Sequence, residues 1–149
     1  MSGILIAILS GIMMSVQGVF NTGVTRQTSI WTAATFVQLS ALVVSLAAWY
    51  ITGKQASFGS LFSIDRKYML LGGVIGIAIT YTVIKSVAIL GPAKSAMLIV
   101  TAQLIAAYLI ELFGLFGMEK AAFEWRKVIA LVFVIGGIIM FQWSGLKGH

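Results

Sequence analysis

The chain has 149 residues, of which 60% are hydrophobic and only 9% are charged, and its mean hydropathy is +1.04. This composition leaves too little polar surface to cover a water-soluble globule of this size, so we predict an integral membrane protein. The net charge of +6 does not indicate nucleic-acid binding, because the ten Lys and Arg residues lie mostly at the ends of apolar stretches, where basic residues set topology and contact lipid headgroups.

The composition also argues against metal and cofactor sites. The chain has no cysteine, which excludes disulfides and thiolate ligands, and its single histidine, His149, is the last residue. We therefore expect no metal and no cofactor.

Five apolar stretches predict five transmembrane helices, because each reaches or approaches the roughly 20 residues that cross about 30 Å of hydrocarbon. Trp31 and Trp49 bracket the second stretch, and Trp125 and Trp143 bracket the fifth, as is typical of aromatic anchors at the membrane interface. The short connections make consecutive helices antiparallel neighbours. We predict an all-α membrane protein in which residues 1–149 form a single five-helix unit, with spans at 3–21, 30–52, 68–90, 92–113 and 127–143.

The first span carries a stripe of small and polar residues at alternating steps of four and three, which places them on one helix face. Gly11 and Gly18 border this stripe, and we expect them to let a neighbouring helix pack closely in lipid. Gln17 and Asn21 lie on the stripe and have two interpretations, a hydrogen bond between helices or a contact with a passing solute. Met14 lies on the same face and would make an adaptable apolar contact.

The third span repeats the small-residue stripe with Gly72, Gly76 and Thr80, followed by Tyr81. Close helix packing is the expected role of the two glycines. Thr80 and Tyr81 are candidate pathway residues, with the tyrosine ring as a stacking surface.

Lys85 also lies inside the third span, about five residues before its end. Its long stem can carry the ammonium group to the membrane interface, or the charge can line a pathway or bind an anion. If two chains pair antiparallel, Lys85 of one chain reaches the same depth as Glu111 of the other. A charge pair between the two chains is therefore a hypothesis.

The fourth span begins at the only proline, Pro92, which suits a first helical turn. Gln103, Ala107 and Glu111 fall on one small and polar face of this helix, so this face should contact protein or a cavity. We expect Ala107 to serve packing. Glu111 is the only acid within a predicted span, and it is either hydrated at the helix end or a site of proton coupling.

The distribution of Lys and Arg predicts the orientation of the chain in the membrane. Six basic residues lie on the side of the N-terminus, against three, or four with Lys85, on the other side. This bias favours a cytoplasmic N-terminus. The difference between the two sides is small. It is therefore also compatible with insertion in both orientations, or with insertion beside a partner that has the opposite orientation. The six are Lys54, Arg66, Lys67, Lys120, Arg126 and Lys127, and the others are Arg26, Lys94 and Lys147.

Several motifs together indicate a family. They are Gln17-Gly18-Val19-Phe20-Asn21, Gly72-Gly73 with Gly76, Leu90-Gly91, Gln103, and above all Glu111-Leu112-Phe113-Gly114-Leu115-Phe116-Gly117. With these motifs the chain resembles the five-helix YdcZ-like branch of the drug/metabolite transporter superfamily over almost its whole length. Many relatives carry Asp-His where this chain has Glu111-Leu112, so the acid is kept and the histidine is not.

The resemblance implies one copy of a five-helix unit that larger relatives carry twice in inverted orientation, and hence a functional dimer. It also implies that the first, third and fourth spans line a central pathway. Two opposed units form the inverted repeat on which alternating access depends. The dimer is either a homodimer, antiparallel in the simplest case, or a heterodimer with an oppositely inserted paralogue.

These patterns lead to the hypothesis of a secondary-active transporter in the cytoplasmic membrane, which moves a small polar or amphipathic solute. The small multidrug exporters, relatives of similar size that move lipophilic cations, rely on a carboxylate deep in the first span. The first span of this chain has no acid, so an anionic or zwitterionic solute is favoured over a cation. The candidate pathway residues are Met14, Gln17, Asn21, Thr80, Tyr81, Lys85, Gln103 and Glu111.

Other functions fit the sequence less well. An accessory or structural membrane subunit is the main alternative, and a channel is a further one. An intramembrane hydrolase is not expected, because the serines in the spans have no histidine beside them to act as a general base.

Overall fold

The computed structural model describes the backbone of residues 2–54 and 56–143 and the side chains of residues 3–54 and 56–141. Two residues used in the sequence analysis, Lys147 and His149, lie outside the described part. The α-helices are α1 (Ser2–Gln27), α2 (Ile30–Ile51), α3 (Gly72–Leu90), α4 (Pro92–Phe113) and α5 (Trp125–Trp143), with short 3-10 helices at Phe58–Ser63, Lys67–Leu71 and Leu115–Gly117.

The described part of the chain is all-helical, which confirms the predicted fold class. Four segments are long and apolar enough to cross a membrane, and α5 is the fifth helix. Only four hydrophobic residues are buried in the described part, while dozens of large apolar side chains are exposed along the helices. Such a surface requires lipid or other protein around it. The four apolar segments are Gly3–Gln27, Ile30–Ile51, Lys67–Leu90 and Pro92–Phe113.

Helix ends differ from the predicted span ends by two or more residues at three places. Helix α1 continues to Gln27, six residues past the predicted end, and the hydroxyls of Thr22 and Thr25 within this part donate to carbonyls of the preceding turn at 2.8 Å. Helix α3 begins at Gly72, since residues Lys67–Leu71 take the tighter 3-10 form. Helix α5 begins at Trp125, two residues before the predicted start.

The chain divides into two compact units, Met1–Ile89 and Leu90–His149, which are described separately. In the first unit α1 packs against α2, where Ala33 and Ala34 are buried. Gly18 is also buried, and a Cβ atom at this position would lie 3.5 Å from a methyl of Val83 and 3.6 Å from one of Val87 on α3. The missing side chain thus lets α1 approach α3.

The second unit consists of α4, a tight turn and α5, with α4 packed on α5. Gly114 ends α4 in the left-handed conformation (φ 63°), and its N–H donates to the carbonyl of Glu111. The N–H of Ala121 donates to the same carbonyl at 2.9 Å. The chain therefore folds back directly over the end of α4 and brings the start of α5 beside Glu111.

Gly114 is needed at this turn for two reasons. Its positive φ favours glycine, and a Cβ atom there would lie 3.3 Å from both the Met118 carbonyl oxygen and the Lys120 Cβ. Gly114, within the Glu111–Gly117 motif, therefore marks the turn between α4 and α5 that defines the geometry of the second unit.

Candidate functional site

A groove of about 370 Å³ runs between α4 and α5 in the second unit. Its walls are apolar, and three polar side chains, Tyr108, Glu111 and Lys127, also line it. Glu111 was predicted as a pathway residue and Ala107 as a packing residue, and both line this groove. The apolar lining consists of Leu104, Ala107, Ala130, Leu131 and Val134.

Glu111 and Lys127 form a loose ion pair in this groove. The Lys127 Nζ lies 3.9 Å from Oε2 of Glu111, and the two side chains are 41% and 50% exposed. The same ammonium lies 3.6 Å from Oε1 of Glu124, one turn earlier in the sequence. Exposed ion pairs of this kind contribute about 0–1 kcal/mol to stability. Lys127 can therefore leave Glu111 at little cost, because a second carboxylate is within reach.

The positions of both charges oppose the helix dipoles. Glu111 lies in the last turn of α4, where the dipole favours a cation, and Lys127 lies in the first turn of α5, where it favours an anion. Each placement costs about 0.3–1 kcal/mol when the charge is unpaired. Helix stability therefore does not explain these residues, and their mutual pairing offsets the cost.

Tyr108 completes the polar part of this groove. The Lys127 ammonium lies 5.8 Å from the centroid of its ring, within the range of a cation–π contact. The Tyr108 hydroxyl is buried and has no hydrogen-bond partner within the described residues. A buried hydroxyl without a partner costs about 1–3 kcal/mol, so its presence calls for an explanation beyond stability.

A second groove, of about 380 Å³, lies between α1 and α2 in the first unit. It brings together Gln17 and Asn21, which the spacing had placed on one helix face, with Ser40 of α2. Asn21 is 8% exposed, whereas Gln17 is exposed. Met13 lines this groove rather than Met14. The polar groups here are all neutral.

Ser40 was missed by the sequence analysis. It is not among the predicted pathway residues, and its hydroxyl donates to the carbonyl of Val37 at 2.9 Å, so nothing local marks it. Its relation to Gln17 and Asn21 follows only from the packing of α1 on α2.

An aromatic cluster on α2 and α3 contains two of the predicted pathway residues. Tyr81 stacks on Trp31 with ring centroids 5.0 Å apart, and the Lys85 Nζ lies 5.8 Å from the Tyr81 ring. Tyr81 and Trp31 also line a groove of about 330 Å³. Thr80 is half-buried, and its hydroxyl donates to the Gly76 carbonyl at 3.0 Å. Trp31 was predicted as an interfacial anchor, and it also supports Tyr81.

The remaining predicted residues lie on open surface. Gln103 is exposed on α4, and it is its neighbour Leu104 that lines the α4–α5 groove. A Cβ atom added at Gly11, Gly72 or Gly76 would meet no atom within 4 Å in the described residues. If these glycines serve close helix packing, they need a partner helix from outside the first unit.

The comparisons with known proteins identify the family. No curated protein and no solved structure matches this chain. A family model described as "Putative inner membrane exporter, YdcZ" matches residues 2–140. That match covers nearly the whole chain and agrees with the four apolar helices of a multi-pass membrane protein. The chain therefore belongs to the YdcZ family, as its Glu111–Gly117 motif and glycine pattern predicted.

Proposed function

We propose that this protein is a secondary-active transporter, which moves a small polar or amphipathic solute across the cytoplasmic membrane by alternating access. The observation that carries the proposal is the setting of Glu111. Of the four Asp and Glu residues, only Glu111 lies in an α-helix, and it lines a groove with apolar walls. A carboxylate in such a place is the natural site for binding a proton or a solute.

Lys127 supplies the exchange step in this mechanism. In the resting state its ammonium lies between two carboxylates, 3.9 Å from Glu111 and 3.6 Å from Glu124. When it moves away from Glu111, the Glu111 carboxylate becomes free to take a proton or the charged group of a solute, while Lys127 pairs with Glu124 or with an acidic group of the solute. When solute and proton leave, Lys127 returns and neutralises Glu111, so the empty carrier has no unpaired charge in its groove.

The working unit in this proposal is a dimer of five-helix chains. Polar side chains on exposed helix faces, such as Gln17 and Gln103, are costly in lipid unless protein or water faces them. An added Cβ atom would meet no neighbour within 4 Å at Gly11 on α1 or at Gly72 and Gly76 on α3, and glycines of this kind let a helix of a second chain pack closely. Two chains inserted in opposite orientations would form the inverted repeat that alternating access requires.

The within-chain pair of Glu111 and Lys127 changes the hypothesis for Lys85. Glu111 already has a cation beside it, so Lys85 of a second chain would be an additional partner. Within its own chain Lys85 contacts the Tyr81 ring. We propose that Lys85, Tyr81, Thr80 and Met14 line the solute pathway, with hydrogen bonds from Gln17, Asn21 and Gln103.

The N-terminus is proposed to be cytoplasmic, on the basis of the Lys and Arg distribution. Single cysteines can be introduced anywhere in this cysteine-free chain and labelled with a membrane-impermeant reagent from each side. Labelling of one site from a single face fixes the orientation. Labelling of the same site from both faces indicates dual insertion and supports an antiparallel homodimer.

Transport is tested in proteoliposomes with a panel of solutes and an imposed pH gradient. We expect wild-type protein to give saturable, solute-dependent flux, and Glu111→Gln and Gln103→Ala to lower it while folding stays normal. Glu119→Gln is the matched control, because Glu119 lies in the turn outside the groove. If no solute produces flux or thermal stabilisation of the wild type, the protein is an accessory subunit and the proposal fails.

A further inference from the structure

The polar end of the α4–α5 groove presents one carboxylate and one ammonium to whatever enters it. Glu111 and Lys127 both line the groove, whereas Glu124, the second partner of Lys127, does not. The 3.9 Å between the two charged groups exceeds the roughly 2.7–2.9 Å of a direct charge-assisted hydrogen bond. Both groups therefore retain free hydrogen-bonding capacity for a ligand.

The Tyr108 hydroxyl adds a donor beside this pair. It is buried without a partner in the described residues, and the Lys127 ammonium lies 5.8 Å from the same tyrosine ring. An anionic oxygen bound near Lys127 would give this hydroxyl an acceptor. The groove thus offers the Lys127 ammonium to an acidic group and the Glu111 carboxylate to an ammonium group, and the Tyr108 hydroxyl lacks an acceptor within the described residues.

The helix ends favour the same arrangement of a ligand. The carbonyl end of α4, which carries Glu111, attracts positive charge, and the amide end of α5, which carries Lys127, attracts negative charge. A dipolar ligand placed with its ammonium at α4 and its acidic group at α5 would satisfy both helix ends. A ligand with a single charge would satisfy only one of them.

The apolar part of the groove limits the size and the polarity of the rest of the ligand. Its volume of about 370 Å³ is at the small end of the range for small-molecule sites, about 300–1,000 Å³. Leu104, Leu131 and Val134 provide apolar walls. An apolar tail of a few carbon atoms fits such a space.

We propose that the α4–α5 groove binds a zwitterion that joins a primary ammonium to an anionic oxygen group and carries an apolar tail. The ammonium pairs with Glu111, and the anionic group pairs with Lys127 and accepts a hydrogen bond from Tyr108. This inference deepens the proposed transport function by naming the class of its solute. Two sources supply this chemistry, a free amino acid with an apolar side chain and the ethanolamine headgroup of a phospholipid.

Equilibrium binding to the purified full-length protein in detergent tests the inference without any need for flux. Leucine is compared with 3-methylbutylamine, which lacks the carboxylate, and with 4-methylpentanoate, which lacks the ammonium. We expect leucine to bind about tenfold more tightly than either analogue, because only leucine matches both charges. Measurable binding of the amine to the wild type that equals or exceeds the binding of leucine overturns the proposal.

Two neutral variants assign the charges to residues. In Lys127→Gln, leucine should no longer bind more tightly than 3-methylbutylamine. In Glu111→Gln, leucine should no longer bind more tightly than 4-methylpentanoate. Tyr108→Phe should weaken leucine and 4-methylpentanoate about threefold and leave the amine unchanged. Lys120→Gln is the control, because Lys120 lies outside the groove lining. An unchanged leucine-to-amine ratio in Lys127→Gln contradicts the assignment.

The source of the zwitterion is decided by short-chain phospholipids in the same assay. If dioctanoyl phosphatidylethanolamine binds with the same dependence on Glu111 and Lys127 while leucine does not, the groove recognises the lipid headgroup. The choline analogue, whose quaternary ammonium has no N–H, should bind more weakly. If neither leucine nor the ethanolamine lipid binds, the inference fails, whereas transport of another solute would leave the proposed transport function intact.

Discussion

The two units of this chain carry different kinds of polar side chain in the grooves between their apolar helices. The α1–α2 groove of the first unit is lined by neutral polar groups, the amides of Gln17 and Asn21 and the hydroxyl of Ser40. The second unit uses the charged pair of Glu111 and Lys127. Both kinds of group can bind polar solutes, but of these two grooves only the α4–α5 groove is lined by ionisable side chains. The proposed function therefore places coupling in the second unit.

The units also differ in how their glycines act. Gly18 in the first unit is a packing position, because a Cβ atom there would lie at ordinary contact distance from methyl groups of Val83 and Val87. Gly114 in the second unit is a conformational position, with positive φ and close backbone neighbours. The charged groove therefore depends on one turn, whereas the neutral groove depends on helix packing.

Substitution at the turn should give the largest effect. In Gly114→Val the side chain is forced into the left-handed region and against the Met118 carbonyl, and we expect a loss of about 2–3 kcal/mol in the free energy of unfolding. Cysteines placed at Glu111 and Lys127 should then cross-link less efficiently than on the wild-type backbone. Equal cross-linking in both backgrounds would show that the turn does not position α5.

Substitution in the neutral groove should alter flux more than stability. Asn21 is buried and makes no side-chain hydrogen bond within the described residues, so Asn21→Leu removes an amide that the fold does not use. We expect flux to fall about tenfold while the thermal unfolding midpoint stays the same or rises. A large loss of stability would instead assign Asn21 to interhelical packing.

Removal of the buried hydroxyl in the charged groove should stabilise the empty protein. Tyr108→Phe deletes an oxygen that lacks a partner within the described residues, and we expect a gain of roughly 1 kcal/mol without ligand. Thermal unfolding in detergent measures it, with Tyr50→Phe as the control on an exposed tyrosine outside this groove. A loss of stability would mean that the hydroxyl has a partner in the assembled protein.

The smallest effect is expected at the packing glycine. Gly18→Ala adds a methyl group at 3.5–3.6 Å from its neighbours, which is ordinary contact, so we expect a change of no more than about 0.5–1 kcal/mol in either direction. Gly18→Leu serves as the contrasting variant, because its larger side chain cannot fit between α1 and α3. Equal tolerance of both would remove Gly18 from the helix interface.

Much of this fold follows from the sequence. Hydrophobic stretches of bilayer length predicted the membrane class and the helices, and the predicted fourth span, 92–113, has the same bounds as α4. Helical periodicity placed Gln17 and Asn21 on one face, and they share a groove. These successes rest on local rules of spacing and turn chemistry.

The partner of Glu111 was not predicted. Lys127 was counted only as a basic residue at the start of the fifth span, because contact between helices depends on the path of the intervening turn. That path is fixed by the left-handed Gly114 and by the hydrogen bond from Ala121 to Glu111, which no periodicity reveals. Lys85 and Tyr81 lie four residues apart on one helix, so their contact could have been inferred from spacing.

The role of Glu111 is decided by flux in proteoliposomes under an imposed pH gradient, measured for a solute that the wild-type protein transports. We predict that Glu111→Gln lowers this flux by about 100-fold, since it removes the only carboxylate on a described α-helix, while Glu119→Gln stays near wild type. Wild-type flux in a well-folded Glu111→Gln protein would contradict the proposal that the α4–α5 groove couples transport.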